Sequence, residues 1–277
     1  LAAAIPNGWF LPVTPGTQFA TVGGAIANDV HGKNHHLRGT FGNHVIRFGL
    51  LRHGEKAQIC SPSENARLFA ASIGGLGLTG VINWADLQLM PIRASQIDST
   101  VVRFANLAEF FSLSAELDHQ HEYSVAWVDC LAKGANSGRG VFIVGDHARY
   151  GSLEVEHGSP MKVPLTPPIS LINNLSLRSF NALYWNAHPK RPTAKRSAYT
   201  PFFYPLDRIL HWNRIYGRKG FQQYQCVIPE ANAEVAMAEL LSAIADSGQG
   251  SFLAVLKRCG DIASPGLLSF PMPGTSL

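Results

Sequence analysis

Cysteine is scarce in this chain. Cys60, Cys130, Cys226 and Cys259 are the only four in 277 residues, far apart and with no Cys-x-x-Cys pair. That spacing indicates neither a zinc site nor a dense disulfide framework, and it reads as mostly buried thiols in a reducing compartment. Charge of one sign is not in great excess: 23 Lys and Arg against 19 Asp and Glu give +4. A nucleic-acid binder would show a clustered basic face, so no nucleic-acid partner is expected. No charged segment with an apolar run behind it follows Leu1, so no signal peptide is expected. Residues 68 to 85 carry no charge, but Gly74, Gly75, Gly77, Gly80 and Asn83 argue against a membrane span. Internal repeats and low-complexity segments are absent.

What is present is apolar residue in quantity. At 46% hydrophobic, the chain supports a core large enough to divide into two domains. Residues 9 to 14 read as a short strand ending at Pro15-Gly16. Residues 44 to 51 read as a strand, with 56 to 60 its hairpin partner across His53-Gly54-Glu55. Ser61-Pro62-Ser63-Glu64 reads as a capping box that opens a helix running to Ile73. Val81 to Met90 reads as a strand closed by Pro91. Beyond residue 93, Tyr123 to Asp129 and Gly140 to Gly145 read as antiparallel strands. Residues 186 to 200 read as a basic, proline-broken loop, and 221 to 228 as a strand. Residues 231 to 246 give the clearest helix, followed by a strand from Ser251 to Lys257.

Gly75-Leu76-Gly77-Leu78-Thr79-Gly80 matches the dinucleotide fingerprint GxGxxG. That fingerprint needs a strand before it and a helix after it. Here the order is reversed, so the run reads as a tight glycine turn whose following strand, at Val81 and Ile82, passes a cofactor.

The densest polar cluster lies at Thr21-Val22-Gly23-Gly24 and on through His31-Gly32-Lys33-Asn34-His35-His36. Gly23 and Gly24 read as glycine turns that let backbone approach a ligand, and Ala25 and Ala27 keep the wall low. Asn28, His31, Lys33, Asn34 and His35 offer donors close together. The pattern suits a large, flat, phosphate-bearing cofactor and not a metal, because Gly32 and Asn34 oppose the helix that would align His31 with His35. A lone His-Gly would instead read as a structural turn.

Pro15-Gly16-Thr17, Thr21-Val22-Gly23-Gly24, His31 to His36 and Phe41-Gly42-Asn43-His44-Val45 together resemble the FAD-binding core of the decaprenylphosphoryl-β-D-ribose 2′-oxidase family. These are flavoproteins of the vanillyl-alcohol-oxidase type, with a PCMH-type FAD-binding domain akin to that of D-arabinono-1,4-lactone oxidases. The resemblance continues through Gly77 to Gly80, Pro205-Leu206-Asp207, Trp212 to Gly217, Gln223-Tyr224-Gln225 and Leu268-Ser269-Phe270-Pro271. It implies an α+β chain, with the second half of an FAD domain over residues 1–93 and a substrate domain of antiparallel sheet over 94–277. Both ends then read as internal to a longer protein.

The resemblance implies a noncovalent FAD bound by Gly16, Thr17, Thr21, Val22, Gly23, Gly24, Asn28, His31, Gly32, Lys33, Asn34, His35, Val81 and Ile82. It implies a substrate pocket of Trp127, Phe203, Tyr204, Gln223, Gln225 and Lys257, with His31 and Lys257 as catalytic groups. Singly, Trp127 and Phe203 read as core, Tyr204 as a surface aromatic, and Gln223 and Gln225 as one exposed strand face. Where the family has Phe-Tyr-His-Pro-Leu-Asp, this chain has Phe202-Phe203-Tyr204-Pro205, with the tyrosine one place later. The implied reaction is oxidation of a secondary sugar hydroxyl, that of a polyprenyl-phosphate-linked ribose, in cell-wall arabinan synthesis. A reductase completing the epimerisation is the implied partner. Location would be cytoplasmic or peripheral at the inner membrane, where the basic loop with Lys190, Arg191, Lys195 and Arg196, read first as solvated, could meet anionic lipid. An aldonolactone or sugar-alcohol oxidase, and an inactive flavin-binding fragment, stand as alternatives.

Overall fold

A computed structural model describes residues 1–54, 58 to 155, 158 and 160–277, together with 56 and 57. It is a mixed α/β fold whose two main sheets are antiparallel. The first 91 residues hold β1 (Trp9–Phe10), α1 (Val22–Ala27), α2 (His35–Arg38), β2 (Val45–Leu51), β3 (Gln58–Cys60), α3 (Ala66–Ser72), β4 (Val81–Leu87) and β5 (Met90–Pro91). β2 lies between β3 and β4, antiparallel to both. Phe48 and Leu50 of β2 bury against Phe69, Ile26 and Ile73.

The remainder begins with β6 (Ile97–Phe104), α4 (Leu107–Leu117), β7 (Tyr123–Val128), β8 (Gly140–His147) and β9 (Met161–Lys162). It continues through α5 (Asn174–Ala187), β10 (Thr193–Ser197), α6 (Tyr199–Phe203) and β11 (Ile209–Leu210). β12 (Val227–Pro229), α7 (Ala233–Ser247), β13 (Ala254–Cys259) and β14 (Gly274–Ser276) complete it. Seven strands form one antiparallel sheet in the order β10-β6-β8-β7-β13-β14-β12.

Strand alternation gives this sheet two faces. Phe142, Val144, Ala126, Val128 and Leu256 point to the helical side, where Phe110 of α4 and Met237 and Leu241 of α7 cover them. Trp127 and Val255, which are register partners, point the other way, as do Lys257 and its partner Ser276. A third cluster of Ile5, Phe10, Ile97, Tyr123, Tyr199, Phe203 and Tyr204 seals the seam between the two sheets.

Several sequence readings shift. Gly23 and Gly24 are not turns: they lie inside α1, which Thr21 caps by accepting from Gly24 N at 3.0 Å. The strand over 9–14 shortens to Trp9–Phe10. Ser61 does accept from Glu64 N at 2.9 Å, but Asn65 at φ +51° breaks the run, so the helix begins at Ala66. The strand beginning at Val81 ends at Leu87. The loop over 186–200 instead contains β10, an edge strand on β6. Of 221 to 228 only Val227 and Ile228 are strand, the start of β12, so Gln223 and Gln225 do not share a strand face. Glu55, in the turn read between β2 and β3, lies outside the described residues. The glycine run does follow a helix and precede a strand, with Gly77 at φ +76°, so it is a turn and not a pyrophosphate loop.

Candidate active site

The site forms where the loop before α2 meets the outward face of β13. β13 alternates, so Leu256 enters the helical core and Lys257 emerges on the opposite side, still buried. Lys257 Nζ donates to His31 Nδ1 and, at 2.8 Å, to Gly32 O. His31 is fixed from behind by a bridge to Thr40 and is stacked by Phe270 at 6.0 Å between ring centroids. Gln225 Nε2 stands 3.2 Å from His31 Nε2 and 3.4 Å from Ser276 Oγ. Beside them, His35 Nδ1 accepts from Gly260 N at 3.1 Å. Gly260 permits that approach, since a Cβ there would stand 2.7 Å from His36 O.

The electrostatics follow from burial without counter-charge. Among the described residues neither Lys257 nor Lys33 forms an ion pair with a carboxylate. Desolvation, with the like charge of Lys33, lowers Lys257 from 10.5 to about 8. Desolvation alone lowers Lys33 to about 8. His31 is pushed to about 2, first by burial and then by Lys257 and His35, so it is neutral at any working pH. His35 falls to about 4 for the same two reasons, burial and then Lys257. With Lys257 donating to Nδ1, neutral His31 carries its proton on Nε2. That proton needs an acceptor, which the Gln225 amide supplies by turning its oxygen to the ring.

A second group lines a cleft of about 430 Å³ between residues 1–41 and Val155, Tyr199 and Tyr204. Thr17, Thr21, Val22, Ala25, Phe41 and Tyr204 form its wall. Asp207 fixes the entrance loop, accepting from Thr17 Oγ1 at 2.8 Å and Gln18 N at 2.7 Å. Burial raises the Tyr204 phenol, which stays neutral. Gly16 is exposed on that loop.

The other expected residues divide. Gly23 of α1 faces Ile82 of β4, where a Cβ would make an ordinary contact at 3.7 Å, and Val81 beside it is exposed. Asn28 bonds Gly24 O at 2.9 Å and ends α1. Asn34 is a brace: its buried Nδ2 donates to Pro12 O at 2.7 Å and Glu122 Oε1 at 2.9 Å. Glu122 also takes a bidentate grip from Arg38 at 2.8 and 2.9 Å. Lys33 lies 5.9 Å from the Phe202 ring centroid, and its carbonyl accepts from Ser124 N of β7 at 2.8 Å. Trp127 is buried with Nε1 bonded to Phe252 O at 2.9 Å. Phe203 is packed on Phe10 and Tyr123 in the seam. Gln223 is exposed and joins neither group.

Three participants were not singled out from the sequence. Ser276 and Phe270 reach the His31 group, and Asp29 anchors it. Buried Asp29 accepts from Gly42 N at 2.8 Å, Ser269 Oγ at 2.5 Å and Ser264 Oγ, tying the Leu268-to-Pro271 segment to α1. Phe270 lay inside a quoted motif, whereas Ser276 and Asp29 carry no local signal.

No protein-family model matches the chain. It is 35% identical over 288 aligned residues to the decaprenylphosphoryl-β-D-ribose oxidase of Mycolicibacterium smegmatis, covering 99% of this chain and 61% of that protein. It is 33% identical over 287 residues to a Streptomyces coelicolor protein described as an uncharacterized protein in the mprA 5′ region, covering 99% of this chain and 77% of that one. The chain thus spans about three fifths of the first relative's length and three quarters of the second's. The likeness runs the whole length of this chain, through both sheets and both groups of the site, and the chain belongs to the decaprenylphosphoryl-β-D-ribose oxidase family.

Proposed function

We propose that this chain forms the cofactor-facing and substrate-facing parts of an FAD-dependent oxidase of a secondary sugar hydroxyl. The substrate proposed is the 2′-hydroxyl of a polyprenyl-phosphate-linked ribose, with a partner reductase completing the epimerisation in cell-wall arabinan synthesis. Residues 1–93 are assigned to an FAD-binding domain of the vanillyl-alcohol-oxidase type and 94–277 to the substrate domain. The carrying observation is the contact of Lys257 with His31 across these two parts, beside the cleft.

The residues present fit a flavin nucleotide. The cleft wall is low at Ala25 and hydroxylic at Thr17 and Thr21, and its Phe41 follows Thr40, the bridge partner of His31. Thr17, Thr21 and Val22 would hold it, with Gly32, Lys33 and His35 on the His31 side. When bound, the flavin supplies the hydride acceptor.

The chain's own residues handle the proton and the substrate. Protonated Lys257 occupies the lone pair of His31 Nδ1, and neither group can then take a proton. Neutral Lys257 keeps its donors on Gly32 O and His31 and has a free lone pair to receive the hydroxyl proton. Gln225 orients His31 and offers its amide to a sugar hydroxyl. Lys33 supplies a point charge for an anionic phosphodiester.

Lys257→Met and Gln225→Ala in the full-length protein should each retain the flavin absorption bands. Turnover should fall about 100-fold for Lys257→Met, the contribution of a positioned base, and about tenfold for Gln225→Ala. Loss of flavin in either variant moves that residue to the cofactor shell and contradicts its role here.

A further inference from the structure

The net charge of +4 conceals a division. Residues 158 to 229 contain ten Lys and Arg against one acid, Asp207, while the rest of the chain has 13 against 18. Asp207 is already engaged by Thr17 and Gln18. Of the ten cations only Arg196 pairs with a carboxylate among the described residues.

The same stretch puts large aliphatic side chains in water. Met161, Leu165, Ile169, Leu171, Leu175 and Leu183 are each 55% to 78% exposed. They belong to one lobe. β9 pairs with β11, Val163 N donates to Leu210 O at 3.0 Å, and Leu171 N donates to Ile215 O at 2.9 Å. Arg214 clamps the lobe through Val163 O and Pro164 O at 2.9 and 2.8 Å. α5 follows at once, capped by Asn173. Its helical spacing puts Leu175 and Leu183 on the solvent side with Arg178 flanking, while Leu177 and Asn181 turn inward.

Clustered exposed aliphatics mark an interaction site, not a free surface. A nucleic acid would call for a run of aromatic stacking platforms, whereas here the exposed aromatics Phe180, Phe221 and Tyr224 are outnumbered by the six aliphatic side chains. Aliphatic side chains interleaved with uncompensated cations match the boundary between headgroups and acyl chains. The geometry points to a docking surface for an anionic lipid bilayer. The aliphatic side chains of the 161–183 lobe enter the boundary, and Lys162, Arg178, Arg218 and Lys219 meet the lipid phosphates. This deepens the proposed function by giving the lipid-linked sugar a place of reaction, and it rests on that reading for its purpose but not for its affinity. It also moves the contact away from the loop around Lys190 and Arg191, which carries cations without aliphatic neighbours.

The test is cosedimentation of the full-length protein with equimolar phosphatidylcholine–phosphatidylglycerol vesicles and with pure phosphatidylcholine. Binding to the anionic vesicles alone is expected, weakening as salt rises. Leu165→Ser and Leu175→Ser should each lower partitioning about tenfold, as for withdrawing one aliphatic side chain from an apolar phase. Arg218→Gln and Lys219→Gln should each lower it about fivefold. All four variants should keep their flavin and their rate on a substrate with a shortened, water-soluble prenyl chain. No binding by the full-length protein, or binding indifferent to all four substitutions, overturns the docking surface. So does self-association that Leu175→Ser abolishes in the absence of any vesicle binding. Intact vesicle binding with no sugar oxidation supports the docking surface and counts against the oxidase reading alone.

Discussion

At the scale of single residues, Lys257 decides how the site responds to pH. Its pKa is lowered from 10.5 to about 8, while that of His31 lies near 2 and does not titrate in a working range. In the proposed reaction the base is neutral Lys257, so at saturating substrate the rate of the reductive half-reaction should rise with pH through about 8, while Lys33, also near 8, loses its charge over the same range and weakens binding of the phosphodiester. Lys257→Arg stays charged throughout and should remove that rising limb. A single-turnover pH profile of flavin reduction reads both, and a flat profile in the parent enzyme contradicts the assignment. Stability has the same sign. Between about 8 and 10.5 the unfolded chain binds a proton that folded Lys257 does not, so the penalty this group imposes on the fold is relieved as pH rises through that window. The polar cluster at His31 was legible in the sequence because its donors are adjacent. Its pairing with Lys257 was not, since 225 intervening residues separate Lys257 from His31 and only the alternation of β13 brings the ammonium to this face.

At the scale of elements, α1 corrects the sequence reading most instructively. Two adjacent glycines suggested turns, but Thr21 supplies an N-cap strong enough to start a helix through them. Gly24 has little room for a side chain: a Cβ there would stand 3.0 Å from Thr21 Oγ1, so the capping hydroxyl that accepts from Gly24 N would have to shift. Gly24→Val should therefore cost about 1 kcal/mol, the worth of a cap, and should loosen flavin because Thr21 and Val22 line the cleft. Thermal melting together with flavin content after gel filtration measures this. Unchanged melting with full flavin contradicts it. Helix α7 was legible because its apolar period is regular and Gly248 ends it. The segment 221 to 226 was misread because its alternation of polar and aromatic residues mimics a strand. Its actual partners are His31, Ser276 and Leu277, all distant in sequence.

At the scale of the molecule, three carboxylates tie the first sheet to the second. Glu122 holds Arg38 and Asn34, Asp207 holds the loop at Thr17, and Asp29 holds the segment at Ser264 and Ser269. The cleft and the His31 group both lie on this seam, so the site exists only when the sheets are joined. None of these ties was legible from local pattern, because each joins residues more than 80 apart in the chain. The same scale carries the charge division that the total of +4 hides. It also carries the choice between substrates. Partly buried Lys33 has no carboxylate partner among the described residues, which suits an anionic phosphodiester and is of no use to a neutral lactone. Anaerobic mixing of the flavin-loaded full-length protein with a polyprenyl-phosphoribose, and separately with free aldonolactones, tests this most directly. The account predicts prompt bleaching of the flavin bands by the lipid-linked sugar and little by the lactones; bleaching by a lactone with none by the lipid-linked sugar would contradict it.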